Sequence, residues 1–238
     1  KPLLRGVRHV PYGDVTALRR AVTRRTAMVI IEPMMGEAGV VVPPAGYLAA
    51  AREICNRTGA LLVVDCVQTG MGRTGDWFGY EHEGITPDVV TLAKGLGGGL
   101  PLGAVIAFGK SATAFQPGSH GTTFGGNPIA AAAANAVISE IKRGNHLALN
   151  VVKGALLRNL VSPIPQVKEV RGRGLLIGIV LAESQAKKVA AALQESGFLV
   201  NAANDDVIRV APAFIVSERE IISFASAFAA ACEEIYGG

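Results

Sequence analysis

Two continuous apolar runs, AMVIIEP (27–33) and LLVVD (61–65), bracket PPAGYLAAAREICNRTG (43–59), and that order restricts the fold more than any other feature. The outer runs read as β-strands. Between them Tyr47, Leu48, Ala51, Ile54 and Cys55 recur at helical spacing, with Pro44 suited to a first turn and Gly59 to a stop. The unit is βαβ. Strands that are apolar throughout, rather than at alternate positions, predict a parallel sheet covered on both faces.

Asp88–Leu92 and Gly103–Phe108 read as two more strands of the same kind, and a long alanine-rich helix is expected from Pro128 to about Arg143. Beyond residue 145 the character changes. Val170–Leu181 reads as a strand, Glu183–Ser196 as a helix, Phe198–Ala202 and Val207–Ala211 as short strands, and Glu218–Tyr236 as a final amphipathic helix. The expected class is therefore α/β, with a large domain over 1–145 and a small α+β domain over 146–238.

Composition narrows the function. Half of the 238 residues are hydrophobic and no apolar run is long enough for a membrane span, so a soluble globular protein is expected. The densest basic patch, Arg19, Arg20, Arg24 and Arg25, comes with no aromatic or groove-reading motif and reads as a solvated helix face, not a nucleic-acid surface. Cys55, Cys66 and Cys232 are odd in number and scattered. They fit neither a disulfide framework nor a zinc site, and they suit a reducing cytoplasm.

The strand over 61–64 runs straight into Asp65, a carboxylate costly to desolvate without a cation or donor to meet it. Lys94 follows a second apolar run and precedes GLGGGLPLGA, so its amine is expected to be partly desolvated, which lowers a lysine's pKa and favours attack on carbonyls. Ligands of parallel sheets gather at the carboxyl ends of strands, where both residues lie. Pyridoxal phosphate uses such a pair: it bonds to a lysine as a Schiff base, and its pyridine nitrogen needs a carboxylate. Gln68 is placed to donate to the ring oxygen. Taken singly, the same residues also read as a strand-end cap and a surface lysine.

EPMMGEAGVVVPP, DCVQTGMGRTG, PDVVTLAKGLGGGLPLGA, HGTTFGGNP and RGRGLLIGI together, in this order, resemble the signatures of the class III pyridoxal-phosphate-dependent aminotransferases along essentially the whole chain. The details are most similar to the acetylornithine branch, with the ornithine δ-aminotransferases next. The resemblance implies the type I aminotransferase fold, with Lys94 and Asp65 catalytic and Asp65, Val67, Gln68, Lys94 and Thr123 on the cofactor. It further implies Glu37, Thr122 and Arg209 on the substrates, which are an amino donor such as N2-acetyl-ornithine and 2-oxoglutarate. Thr122 and Thr123 would serve the other subunit of a homodimer, and Glu37 would occupy Arg209 when a basic donor is bound.

Two departures from the pattern accompany it. Cys66 stands where the family usually has an acidic residue. The family also carries a substantial portion ahead of the stretch matching Lys1, including a phosphate-cradling loop and a ring-stacking aromatic. The chain thus reads as a piece of a longer or split enzyme, with an uncovered apolar sheet surface expected, or as a non-catalytic assembly partner.

Overall fold

The computed structural model describes residues 5–237, and Lys1–Leu4 and Gly238, which the sequence reading includes in its domains, lie outside the described residues. A short helix opens it, α1 (Val15–Ala21), capped by the Asp14 side chain, which accepts from the Ala17 N–H at 2.8 Å. Then come β1 (Met28–Ile31), α2 (Tyr47–Thr58), β2 (Leu61–Asp65), β3 (Val89–Leu92), β4 (Ala104–Ala107) and α3 (Pro128–Arg143). Helix α2 starts after Gly46, in the left-handed region, so Pro44 lies in the turn ahead of the helix and not in its first turn.

The first sheet has the order β1-β2-β3-β4, and β1, β2 and β3 are parallel. Strand β4 is antiparallel to β3, which corrects the expectation of another parallel strand. The reason is length: the connection over 93–103 is shorter than the dozen or more residues a parallel crossover needs.

Register assigns the two faces of this sheet. Val29, Ile31, Leu62, Val64, Val90, Leu92, Ala104 and Ile106 point one way and pack with α2, Leu18, Met71 and Tyr80 into the first core. Met28, Ile30, Val63, Asp65, Thr91 and Val105 point the other way. On that side Ile30 is 66% and Val105 61% exposed, so among the described residues only one face is covered. The expected double cover is corrected, and the expected bare apolar surface is present.

Helix α4 (His146–Val161), β5 (Val167–Arg173), β6 (Leu176–Leu181), α5 (Ala186–Glu195), β7 (Asn201–Ala202), β8 (Val207–Val210) and α6 (Glu218–Gly237) complete the chain. What the sequence presents as one strand over 170–181 is a hairpin, because Gly174, at φ +53°, turns the chain between β5 and β6. The second sheet, β5-β6-β8-β7, is antiparallel. It packs against α4, α5 and α6 in a core of its own around Leu157, Ile179, Leu193, Ile208 and Phe228.

The loop that follows β2, residues 66–78, is clamped by this second part. Asn150 of α4 donates to the Gly72 carbonyl at 3.0 Å, and the Leu175 N–H donates to the Arg73 carbonyl at 3.0 Å. Gly154 of α4 touches the hairpin turn so closely that a Cβ there would lie 2.0 Å from the Gly174 carbonyl oxygen. Trp77, the chain's one tryptophan, sits at the end of this loop, packs against the first core, and accepts the Gly72 N–H on its own carbonyl.

Candidate active site

The carboxyl ends of β1, β2 and β3 place three ionisable side chains side by side. Glu32 follows β1, Asp65 ends β2, and Lys94 lies two residues past β3. Because Ile31 pairs with Val64, Glu32 and Asp65 are neighbours across two parallel strands. Asp65 is half-buried, and one of its oxygens accepts the Val67 N–H at 2.9 Å, which fixes the carboxylate and the start of the loop together. Glu32 is half-buried too and accepts the Gly36 N–H at 3.2 Å. Burial pushes its carboxyl above the usual range, with the Asp65 charge adding to the effect and the Gly36 N–H and Lys94 opposing it.

Lys94 is exposed, which corrects the expectation of a desolvated amine. The cause is local: Gly95, Gly98 and Gly99 follow it and supply no side chains to cover it. Its backbone is unusual, at φ +43° in the left-handed region that non-glycine residues rarely adopt, at the start of a short 3-10 turn over 94–97. That turn projects the lysine from the end of β3 rather than continuing the strand.

A cavity of about 610 Å³ opens beside it. Lys94, Val67 and Gln68 line its near end, Met71 and Arg73 its floor, and Val137, Ile141 and Phe214 its far wall. Three of the residues singled out in the sequence therefore meet in one hollow. Gly36 is required for this arrangement, because a Cβ there would lie 2.3 Å from the Gln68 side-chain oxygen.

From the second sheet Arg209 reaches the same place. Its Nη1 donates to the Glu37 carboxylate at 2.9 Å, to the Gly36 carbonyl at 2.9 Å and to Gln68 Oε1 at 3.4 Å. Gln68 Nε2 in turn donates to Glu37 at 3.4 Å. Glu37 is exposed, and the hydrogen bond and charge of Arg209 hold its carboxyl below the usual range. Glu37, Gln68 and Arg209 form one connected group drawn from parts of the chain up to 172 residues apart.

Thr122 and Thr123 are not in that group. They lie in an exposed loop ahead of α3 and do not line the cavity. Cys66, beside Asp65, turns inward: it is buried in the first core, and burial pushes its thiol up to about 12. Among the described residues no cluster of three metal-ligating side chains occurs, and no helix is long and apolar enough to cross a membrane.

Sequence reasoning missed Glu32 and Arg73. A signal for Glu32 existed, since a carboxylate at the end of β1 mirrors Asp65 at the end of β2. Arg73 gave no such signal, because its partners are backbone carbonyls more than a hundred residues away.

Comparison with known proteins accounts for this assembly. The family description "Aminotransferase class-III" matches residues 8–232. The chain is 54% identical to an acetylornithine aminotransferase of Mycobacterium bovis over 99% of its own length and 60% of that protein's. It is 57% identical to one of Streptomyces coelicolor over 95% of its length and 57% of that protein's. The chain thus spans about 60% of the length of these curated relatives.

Among solved structures, an ornithine aminotransferase of Toxoplasma gondii, described with partial occupancy of PLP at its active site, matches with TM-score 0.93 and 32% identity. It covers all of this chain and 58% of that one. An N-acetylornithine aminotransferase of Stenotrophomonas maltophilia matches with TM-score 0.88 and 34% identity, over 97% of this chain and 63% of that one. The fold is that of these aminotransferases, and the chain belongs to the class III aminotransferase family.

Proposed function

We propose that this chain binds pyridoxal phosphate at the ends of β1 to β3 and supplies the catalytic groups for moving an amino group. The donor is of the N2-acetyl-ornithine kind and the acceptor is 2-oxoglutarate. The observation that carries this reading is the hydrogen-bonded group of Arg209, Glu37 and Gln68 beside Lys94. The donor set fits the cofactor: an amine, a fixed carboxylate and an amide converge around glycines that let a flat ring approach.

When bound, the cofactor withdraws electrons from the substrate carbon, so that a proton there becomes labile. Lys94 holds the cofactor covalently and, once freed, its Nζ takes and returns that proton. Asp65 keeps the pyridine nitrogen protonated, and its bond to the Val67 N–H fixes its aim. Val67 packs on the ring, and Gln68 donates to the ring oxygen.

Arg209 receives the distal carboxylate of 2-oxoglutarate as a two-pronged donor, and Glu37 occupies that guanidinium when the donor carries no second carboxylate. Residues 1–145 form the cofactor-binding domain and 146–238 the small domain that presents Arg209. The exposed Thr122 and Thr123 serve the site of a second copy, Thr123 on the cofactor phosphate and Thr122 toward the substrate, which makes a homodimer the active unit. The ornithine δ-aminotransferase reaction is the second reading, favoured by the likeness to the Toxoplasma structure.

Visible absorbance tests the reading. The purified protein mixed with pyridoxal phosphate is expected to show the band of lysine-bound cofactor, bleached by N-acetyl-ornithine. A band that persists in Lys94→Ala would overturn the assignment.

A further inference from the structure

Arg73 is a cation whose side-chain partners among the described residues are backbone carbonyls. Its Nη1 donates to Pro212 O at 2.6 Å and to Leu175 O at 3.2 Å, and its guanidinium lies 4.6 Å above the centre of the Phe214 ring. Residue 175 returns the contact by donating its N–H to the Arg73 carbonyl. Burial lowers the guanidinium to about 10, which leaves it charged at neutral pH.

Arg73 grips the segment that leaves β8. Pro212 lies three residues past Arg209, and Phe214, whose carbonyl also accepts from Lys153 at 2.6 Å, lies five past it. At the other end of the same loop, Gln68 lies five residues before Arg73 and accepts from Arg209. Two arginines therefore cross the boundary between the loop and the second sheet in opposite directions. Arg209 reaches from β8 onto Gln68 and Glu37, and Arg73 reaches from the loop onto the chain just after β8.

The distances make the arrangement sensitive. The Arg209–Gln68 contact of 3.4 Å is at the limit of a hydrogen bond, so a slide of β8 along the loop by about half an ångström breaks it. We infer that Arg73 is a positioning residue for acceptor specificity: by fixing the 210–214 segment on the loop, it sets where the Arg209 guanidinium stands relative to Gln68 and Glu37. Lysine cannot replace it. A lysine ammonium offers no planar face for Phe214 and no fork to hold two carbonyls at fixed angles.

The inference rests on the reading of Arg209 as the carboxylate clamp, and the test separates the two. Glutarate and butyrate, equal in reach to a single carboxylate but differing in the second one, are titrated calorimetrically into the purified parent, Arg73→Lys and Arg209→Lys proteins. The parent is expected to prefer glutarate. That preference should fall by about tenfold in Arg209→Lys and by about fivefold in Arg73→Lys, with butyrate affinity changed less than about twofold.

An unchanged preference in Arg73→Lys, with a lost one in Arg209→Lys, overturns the positioning role. If the parent itself does not prefer glutarate, or Arg209→Lys keeps the preference, the clamp reading fails, and amide exchange then decides the coupling alone. The Val40 N–H shares the Gly36 carbonyl with Arg209, and it should exchange faster in Arg73→Lys than in the parent. Equal rates there overturn the inference as well.

Discussion

Gly154→Ala gives opposite answers depending on whether a helix or a whole molecule is considered. In an isolated helix the change gains about 1 kcal/mol, because alanine is the better helix former. In this structure the new methyl would lie 2.0 Å from the Gly174 carbonyl oxygen and 2.7 Å from its carbon, both backbone atoms. Gly174 has no room to retreat, since its own missing Cβ would stand 2.6 Å from the Arg73 carbonyl oxygen. The turn, the 72–75 backbone and α4 are stacked without slack.

Overpacking of this kind costs about 1–3 kcal/mol. Prising the turn off the loop also endangers the two Arg73–Leu175 bonds and the Asn150–Gly72 bond, each contributing about 1 kcal/mol net. Against the propensity gain, the expected balance is a loss of about 2–4 kcal/mol, or about 5–15 °C in Tm for a chain of this size. Urea denaturation followed by circular dichroism measures it. Ala155→Gly, at the exposed neighbour on the same helix, calibrates the propensity effect with an expected loss of about 1 kcal/mol. A Gly154→Ala protein as stable as the parent would refute the reasoning.

Two further outcomes follow from burial. Glu32 has its carboxyl raised by burial, so its contribution to stability is full below its ordinary value of 4.5 and is lost as the pH rises through the raised value. Glu32→Gln stays neutral throughout and should gain stability relative to the parent as the pH goes from 4 to 7 in parallel melts; a difference independent of pH would contradict this. Cys55, Cys66 and Cys232 are all buried with thiols raised to about 11–12, so a thiol reagent should label none of them in the native protein and all three in denaturant. Rapid native labelling of Cys66 would show that the wall behind Asp65 opens.

The parts of the fold legible in the sequence are those whose signal is local. β1, α2 and β2 announce themselves by continuous apolar runs and helical spacing, α3 by Pro128 and its alanines, and α6 by its amphipathic stripe. Helix α4 escaped because its inward face carries Asn150 and Gly154, which suit the close approach to the loop but break any apolar periodicity. The β5–β6 hairpin escaped because only Gly174, inside RGRG, marks the turn.

The candidate site divides in the same way. Asp65, Val67, Gln68 and Lys94 sit at strand ends and could be named from strand pattern and resemblance. The meeting of Arg209 with Gln68 spans 141 residues and exists only once two sheets are folded and docked. The exposure of Lys94 was misjudged because glycines were read as room for a ligand and not as missing cover.

The position of Trp77 has a spectroscopic consequence. As the chain's one tryptophan, it supplies essentially all of the long-wavelength emission, and its backbone closes the loop that begins at Asp65 and carries Gln68 and Arg73. Ultraviolet fluorescence is therefore a report from one loop and not an average over the molecule. A chromophore absorbing in the near ultraviolet beside Lys94 would accept its excitation, so quenching of this one residue should follow occupancy of the cavity without any label being introduced.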